Sequence, residues 1–263
     1  MLSNSRRKFI KTTSLAAFGG GPFIANTKSS GKVIGANDRM RIAVAGLNGR
    51  GKSHIGGFLG QKNVEIPYVI DPDKQVLSRT VASLKGRGQP VKGVVDIREA
   101  LDDKNVDAIA IAAPNHWHSL MTIWGAQAGK HVYVEKPMSH DVEEGRVAVA
   151  AQKKYGVVIQ HGTQQRSNAG RAGLHDQIKA GKWGRLKISY GYCCKPRGSI
   201  GHKNIGDAPA HLDWDLWKGP AVIEKFHGNY VHYNWHWFWA TGNGDLNNQG
   251  THELDVARWA IDD

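Results

Sequence analysis

Residues 131–137 read His-Val-Tyr-Val-Glu-Lys-Pro. A β-branched and aromatic run ends in a carboxylate, an ammonium and a ring that cannot donate to a sheet. A cation at such a strand end can stabilise negative charge developing on an oxygen. A plain salt bridge would explain Glu135 and Lys136, but not the company they keep. Gly46-Leu47-Asn48-Gly49-Arg50-Gly51 supplies a second kind of chemistry. The dinucleotide fingerprint G-x-G-x-x-G needs glycine where the chain turns, where pyrophosphate meets backbone and where helix packs on strand. Gly46 and Gly51 occupy the first and last of these positions. The middle one is Asn48, which tolerates positive φ, with Gly49 beside it. Backbone N–H groups of this turn, through Arg50, would face a pyrophosphate at a helix N-terminus. Asp71 follows Gly51 at the end of the next apolar run. An acid there can accept hydrogen bonds from ribose hydroxyls and would repel a 2′-phosphate, so the expected cofactor is NAD.

These residues need elements to position them. Apolar strands are expected at 40–46, 64–70, 91–95, 106–114, 131–135 and 157–162. Helices are expected at 73–84, 96–103, 118–128 and 142–156, with another after the glycine turn. Strands apolar throughout, alternating with helices, imply parallel βαβ units covered on both faces. The expected fold is α/β, a doubly wound Rossmann sheet over 38–162, with ligands beyond the carboxyl ends of its strands. Pro67 inside the second strand suits a bulge or an edge. From 163 to 263 the pattern changes. Residues 186–194 alternate as a half-exposed strand should, a Trp-, His-, Gly- and Asn-rich stretch follows, and 251–261 reads as helix. This is expected to be a second, α+β domain carrying the substrate site.

The formal net charge is +12, and Arg6, Arg7, Lys8, Lys11, Lys28 and Lys32 supply six of it from a segment without acids. The remainder is mildly basic, lacks an arginine-rich groove, and gives no expectation of nucleic-acid binding. No apolar run is long enough for a stable membrane span. Cys193 and Cys194 are adjacent and form neither a disulfide framework nor a zinc spacing. Residues 1–32 read as an address and linker: Ser5-Arg6-Arg7-Lys8-Phe9-Ile10-Lys11 resembles the twin-arginine export signal, so a periplasmic location is expected.

"AAPNHWH" at 112–118 and "VYVEKP" at 132–137, each ending an apolar strand, together with "NQGTHELDVARWA" at 248–260, resemble the Gfo/Idh/MocA oxidoreductases over residues 38–263. The resemblance implies an NAD-dependent enzyme acting on a sugar or cyclitol hydroxyl. It implies that Lys136 faces the reacting carbon, that Glu135 holds its loop beside the cofactor, and that Pro137 fixes the turn. It makes His252 the general base, since neutral imidazole can take a hydroxyl proton near pH 7. Pro114, Asn115 and His118 become cofactor contacts. Asp255, one turn after His252, would orient it or pack on Lys136. Many members carry an acid four residues before this histidine, where this chain has Asn248, a residue still able to position substrate by hydrogen bonding. Members usually run on for another hundred residues or more and complete an open antiparallel sheet. The resemblance therefore implies a truncated second domain here, and a candidate homo-oligomer face on that sheet.

Gln164 and Arg166, leaving the last strand, are expected cofactor and substrate contacts. Trp235, Trp237 and Trp239 alternate as on one strand face and suit sugar stacking or ordinary core. His232 and His236 have metal spacing only if helical, and no metal is expected. Three functions stay open: net oxidation of a sugar or cyclitol, redox-neutral glycoside processing with tightly bound NAD, and an inactive saccharide-binding module.

Overall fold

The computed structural model describes residues 39–261. The export signal expected at 1–32 lies outside them. The first domain is a parallel sheet built from β1 (Met40–Ala45), β2 (Val64–Glu65), β3 (Tyr68–Ile70), β4 (Lys92–Val94), β5 (Ala108–Ile111), β6 (His131–Glu135) and β7 (Ile159–Gly162). The order is β4-β3-β1-β5-β6-β7, with β2 also on β1. Chain order reverses between β1 and β5, which makes the cleft above those two strands the natural ligand site.

Consecutive residues of a strand face opposite sides, and here both sides are covered. Ala43, Ala45, Ile109, Ile111, Val132 and Val134 pack into one core, with Ile97, Trp117 and Met121. Ile42, Val44, Val69 and Ala110 pack into the other, with Ile55, Val76 and Leu77. That is why the strands read as continuous apolar runs. The covering helices are α1 (Gly51–Leu59), α2 (Lys74–Lys85), α3 (Ile97–Leu101), α4 (Asn115–Gln127) and α5 (Val142–Tyr155). Asp73, Asp96 and Asp141 cap α2, α3 and α5 by accepting first-turn N–H bonds. Helix α4 begins three residues before the expected start, straight after Pro114. The expected strand 64–70 is split in two by Ile66-Pro67: proline has no N–H for the ladder, while its carbonyl still accepts from Lys92 N at 2.8 Å.

Past β7 come a 3₁₀ turn (Gln164–Ser167), α6 (Ala169–Lys179), β8 (Ile205–Gly206), α7 (Trp214–Lys218), β9 (Phe226–His227), a second 3₁₀ turn (Asn234–Trp237), α8 (Gly244–Asn248) and α9 (Gly250–Trp259). β8 and β9 form a small antiparallel sheet beside helices, the α+β arrangement expected for this part. Two expectations are corrected. Residues 186–194 form no strand, because no neighbouring strand pairs with them among the described residues, and Tyr190 and Tyr192 stand in solvent. Alternation cannot hold an extended ladder without a partner. The tryptophans at 235, 237 and 239 do not share a strand face either: the first two lie on the 3₁₀ turn, and Trp239 is 89% exposed. No helix among the described residues is long and apolar enough to cross a membrane.

Candidate functional site

A cavity of about 310 Å³ opens above the reversal point between β1 and β5. One wall is the glycine turn. Gly46 has φ +84°, and a Cβ there would sit 2.5 Å from the Ala112 carbonyl group. A Cβ at Gly51 would lie 1.9 Å from Gly46 O, while one at Gly49 meets nothing within 4 Å. Turn, packing contact and open face thus fall at Gly46, Gly51 and Gly49, beside Asn48. This cradle fits a pyrophosphate.

Asp71 closes the cradle. Its Oδ2 accepts from Leu47 N at 2.9 Å and its Oδ1 from Asp73 N at 2.9 Å. Burial pushes the carboxyl up, and these two N–H bonds pull against that. The acid therefore ties the end of β3 to the glycine turn while lining the cavity. Asp71→Ala is expected to weaken NAD binding and erase any preference over NADP, as read by paired fluorescence titrations. A wild type that bound NADP more tightly would remove this assignment.

Glu135 reaches back across the cleft. Its Oε1 accepts from Arg50 Nε at 2.8 Å and pairs with His54 Nε2 at 2.9 Å, and its Oε2 accepts from Lys136 N at 3.2 Å. Burial opposes the charge, but the bonds from His54 and Arg50 and the Arg50 charge prevail, holding the carboxyl at about 2. Arg50, expected at the cofactor, is thereby committed to Glu135. His54 escaped the sequence reading, although its i+4 spacing from Arg50 puts both on one face of α1. Because the folded value lies below the ordinary 4.5, the carboxylate stabilises the protein fully above pH 4.5 and loses that effect as pH falls toward 2. Glu135→Gln should cost about 2 kcal/mol near neutral pH, discounted for the exposed Arg50. Melting curves of the two proteins should converge as pH falls through that window.

Lys136 projects from the same strand end. Its Nζ donates to Asn248 O at 2.6 Å and to Asn248 Oδ1 at 2.9 Å. Burial lowers its pKa, partly offset by Glu135 and reinforced by Arg50. Asn248 therefore holds the lysine as well as lining the cavity. His252 lies one turn beyond on α9. Burial, and then the Lys136 charge, keep its pKa below 6.5, and its buried Nδ1 has no hydrogen-bond partner.

Other expected contacts sort differently. Pro114 and Asn115 line the cavity at the start of α4, with Asn115 Nδ2 donating to Asn243 Oδ1 at 3.4 Å. His118 borders the cavity, but both ring nitrogens face carbonyls, Pro137 O at 2.5 Å and Ala113 O at 2.7 Å. It is a brace between the ends of β5 and β6 rather than a free cofactor ligand. Gln164 lines the cavity with a buried, unpartnered Oε1, an acceptor suited to a ligand amide. Arg166 and Asp255 form a bidentate ion pair at 2.8 and 2.9 Å, so Asp255 orients Arg166 instead of His252. Trp235 reaches the cavity stacked on His236, ring centres 3.6 Å apart. His232 Nε2 lies 2.9 Å from Asp73 Oδ2, whereas His236 Nδ1 faces Tyr233 O. No group of three metal-ligating side chains occurs among the described residues.

Residues 40–163 match the model of an oxidoreductase family described by its NAD-binding Rossmann fold, Gfo/Idh/MocA, and residues 188–263 match the model of that family's C-terminal alpha/beta domain. The chain belongs to the Gfo/Idh/MocA family. Its first domain is an NAD-binding Rossmann domain, and the glycine cradle and the orphaned Gln164 acceptor fit that cofactor. An alpha-N-acetylgalactosaminidase of Shewanella oneidensis is 30% identical, over 53% of this chain and 35% of that protein. A glycosyl hydrolase family 109 protein of Shewanella pealeana is 27% identical, with the same coverage of each chain. The chain thus spans about a third of the length of these relatives. Among solved structures, the WlbA dehydrogenase of Bordetella pertussis, in complex with NADH and UDP-GlcNAcA, shares the fold with a TM-score of 0.65 at 23% identity, covering 86% of this chain and 56% of that one. Myo-inositol 2-dehydrogenase of Lactobacillus plantarum gives 0.54 at 25% identity, covering 59% and 45%.

Proposed function

We propose that the protein is an NAD-dependent enzyme working on a hydroxyl of a sugar or cyclitol, with Lys136 and His252 as its catalytic pair. The observation that carries this reading is Lys136 emerging into the same cavity as the Gly46–Gly51 turn and Asp71. NAD, when bound, accepts hydride from the carbon bearing that hydroxyl. Lys136, held by Asn248, donates to the substrate oxygen and stabilises its developing negative charge. His252 takes the proton, and its lowered pKa keeps it neutral and receptive near pH 7. As pH falls through that lowered value the imidazole protonates and the rate drops. The acid limb of kcat/KM is therefore expected below pH 6.5 and should vanish in His252→Ala. The solved dehydrogenases of a nucleotide sugar and a cyclitol support this substrate class.

A second reading has its own support in the relative named as an alpha-N-acetylgalactosaminidase. Hydride would pass to bound NAD and later return, the same two side chains would remove and return a proton, and water would replace the departing glycosidic substituent, with no net oxidation. Incubating the protein with free sugars, cyclitols and aryl N-acetylgalactosaminides distinguishes the two. NADH accumulating in step with product identifies a dehydrogenase, and aglycone release without it identifies the redox-neutral enzyme. Saccharide binding with neither outcome would identify an inactive binding module and overturn both.

Export to the periplasm through the twin-arginine route belongs to the same proposal and rests on Arg6 and Arg7. Replacing both with Lys is expected to leave precursor in the cytoplasm, as read by fractionation, and unchanged export would sink it.

A further inference from the structure

The cofactor cleft has a wall that does not come from the Rossmann domain. Residues 211–232 cross from the end of β3 to α4 and are pinned at both edges. On the β3 side, Lys74 N donates to His211 O at 2.8 Å and Asp213 N donates to Pro72 O at 3.0 Å, around a bridge between Asp73 and Leu212. His232 Nε2 then meets Asp73 Oδ2 at 2.9 Å. On the α4 side, the Trp217 carbonyl accepts from Trp117 Nε1 at 2.9 Å and faces His116 Nε2 at 3.1 Å. Gly219 lies so close to the Trp117 ring that a Cβ would stand 2.1 Å from it. The crossing segment has its own small core of Leu212, Trp217 and Phe226, with Trp214 stacked on Trp217. It is a packed strap.

Leu216, Trp217 and His232 of this strap line the same cavity as Asp71, Pro72 and Asp96. The strap is fastened at Pro72, Asp73 and Lys74, directly after Asp71, the acid expected at the adenosine ribose. His232 meets Asp73, two residues past Asp71, and lines the cavity together with Asp71. We infer that residues 211–232 are a strap that retains NAD, and that His232 is the positioning residue latching it to Asp73 over the ribose end of the cleft. The inference rests on the NAD-binding assignment of the first domain and on nothing about the substrate. It gives the second domain a role in holding the cofactor, which suits the redox-neutral chemistry, where retained NAD serves repeated turnover without exchange, and which would slow NADH release in a net dehydrogenase.

The latch is tested on the full chain with NADH as the probe. Bound NADH is chased with excess NAD, and its dissociation is followed by nicotinamide fluorescence. His232→Ala should release NADH about tenfold faster, the scale of one lost charge-assisted hydrogen bond, with association changed far less. His232→Gln, which keeps an N–H donor for Asp73, should restore most of the retention, as a merely structural disturbance would not. Asp73 itself is unsuited to the test because its Oδ1 caps α2. Hydrogen exchange on the unmutated protein gives an independent measurement, with NADH expected to slow exchange across 211–232. Release by His232→Ala within twofold of wild type, equal release by the Gln and Ala variants, or unchanged exchange in the strap would each overturn the inference. A wild type that failed to bind NADH would overturn the cofactor assignment with it.

Discussion

Lys136→Met is expected to leave NAD binding nearly intact and to lower single-turnover reduction of bound NAD by about 10²-fold or more. The contrast follows from the layout. The glycine turn and Asp71 are carried by β1, α1 and β3, whereas Lys136 leaves the end of β6 and is held by Asn248. Methionine keeps most of the apolar stem and removes only the ammonium, the group proposed to steady the substrate oxygen. Lys136→Arg should fail nearly as badly, because a planar fork cannot take the place of a point charge aimed at two acceptors on one asparagine. The measurement is a rapid-mixing experiment on NAD-loaded protein with a panel of sugars and cyclitols, beside an NAD titration of each variant. Wild-type rates in Lys136→Met would reduce Glu135-Lys136-Pro137 to a structural turn. Lost NAD binding would mean that the lysine serves the cofactor instead.

Gly51→Ala is expected to cost about 3 kcal/mol of stability, the scale of forced overpacking, and to abolish useful NAD affinity. The added methyl would lie 1.9 Å from Gly46 O, a backbone atom that cannot swing away, so α1 must lift off the turn. In a protein of this size the melting temperature should fall by about 8 °C. Gly49→Ala is the informative partner. A methyl there meets nothing within 4 Å, so the fold should be untouched while NAD binding weakens, because the methyl intrudes on the open face of the cradle. Thermal melts and NADH titrations of the pair separate packing from binding. A Gly51→Ala protein that melted normally would show that the turn is not tight, and a Gly49→Ala protein with unchanged affinity would move the pyrophosphate elsewhere.

The first domain was legible in the sequence because its signals are local. A strand buried on both faces must be apolar at every position, so 40–46, 106–114 and 131–135 announced themselves and a parallel sheet with them. The glycine turn was legible because only glycine fits the positive φ at Gly46 and the contact at Gly51. Asp71 was legible from its place at the end of the following strand. What sequence spacing does not encode is which side chains spend their hydrogen bonds inside the protein. His118 looked free and is used on two carbonyls. Arg166 and Asp255 looked like separate contacts and satisfy each other across 89 residues. The expected strand at 186–194 had the alternation but lacks a pairing partner among the described residues.

Sequence by itself determined the doubly wound sheet, the nucleotide cradle and the placing of Lys136 at a strand end, since each depends on periodicity or on one residue's steric limits within a few positions. Tertiary structure alone decided that Asn248 holds Lys136, that Arg50 and His54 pin Glu135, and that a strap from the second domain meets Asp73 through His232. Those are contacts between residues 80 to 160 positions apart, and each is set by how distant elements pack, inside the first domain for Glu135 and between the two domains for Lys136 and Asp73, which no local pattern in the chain records.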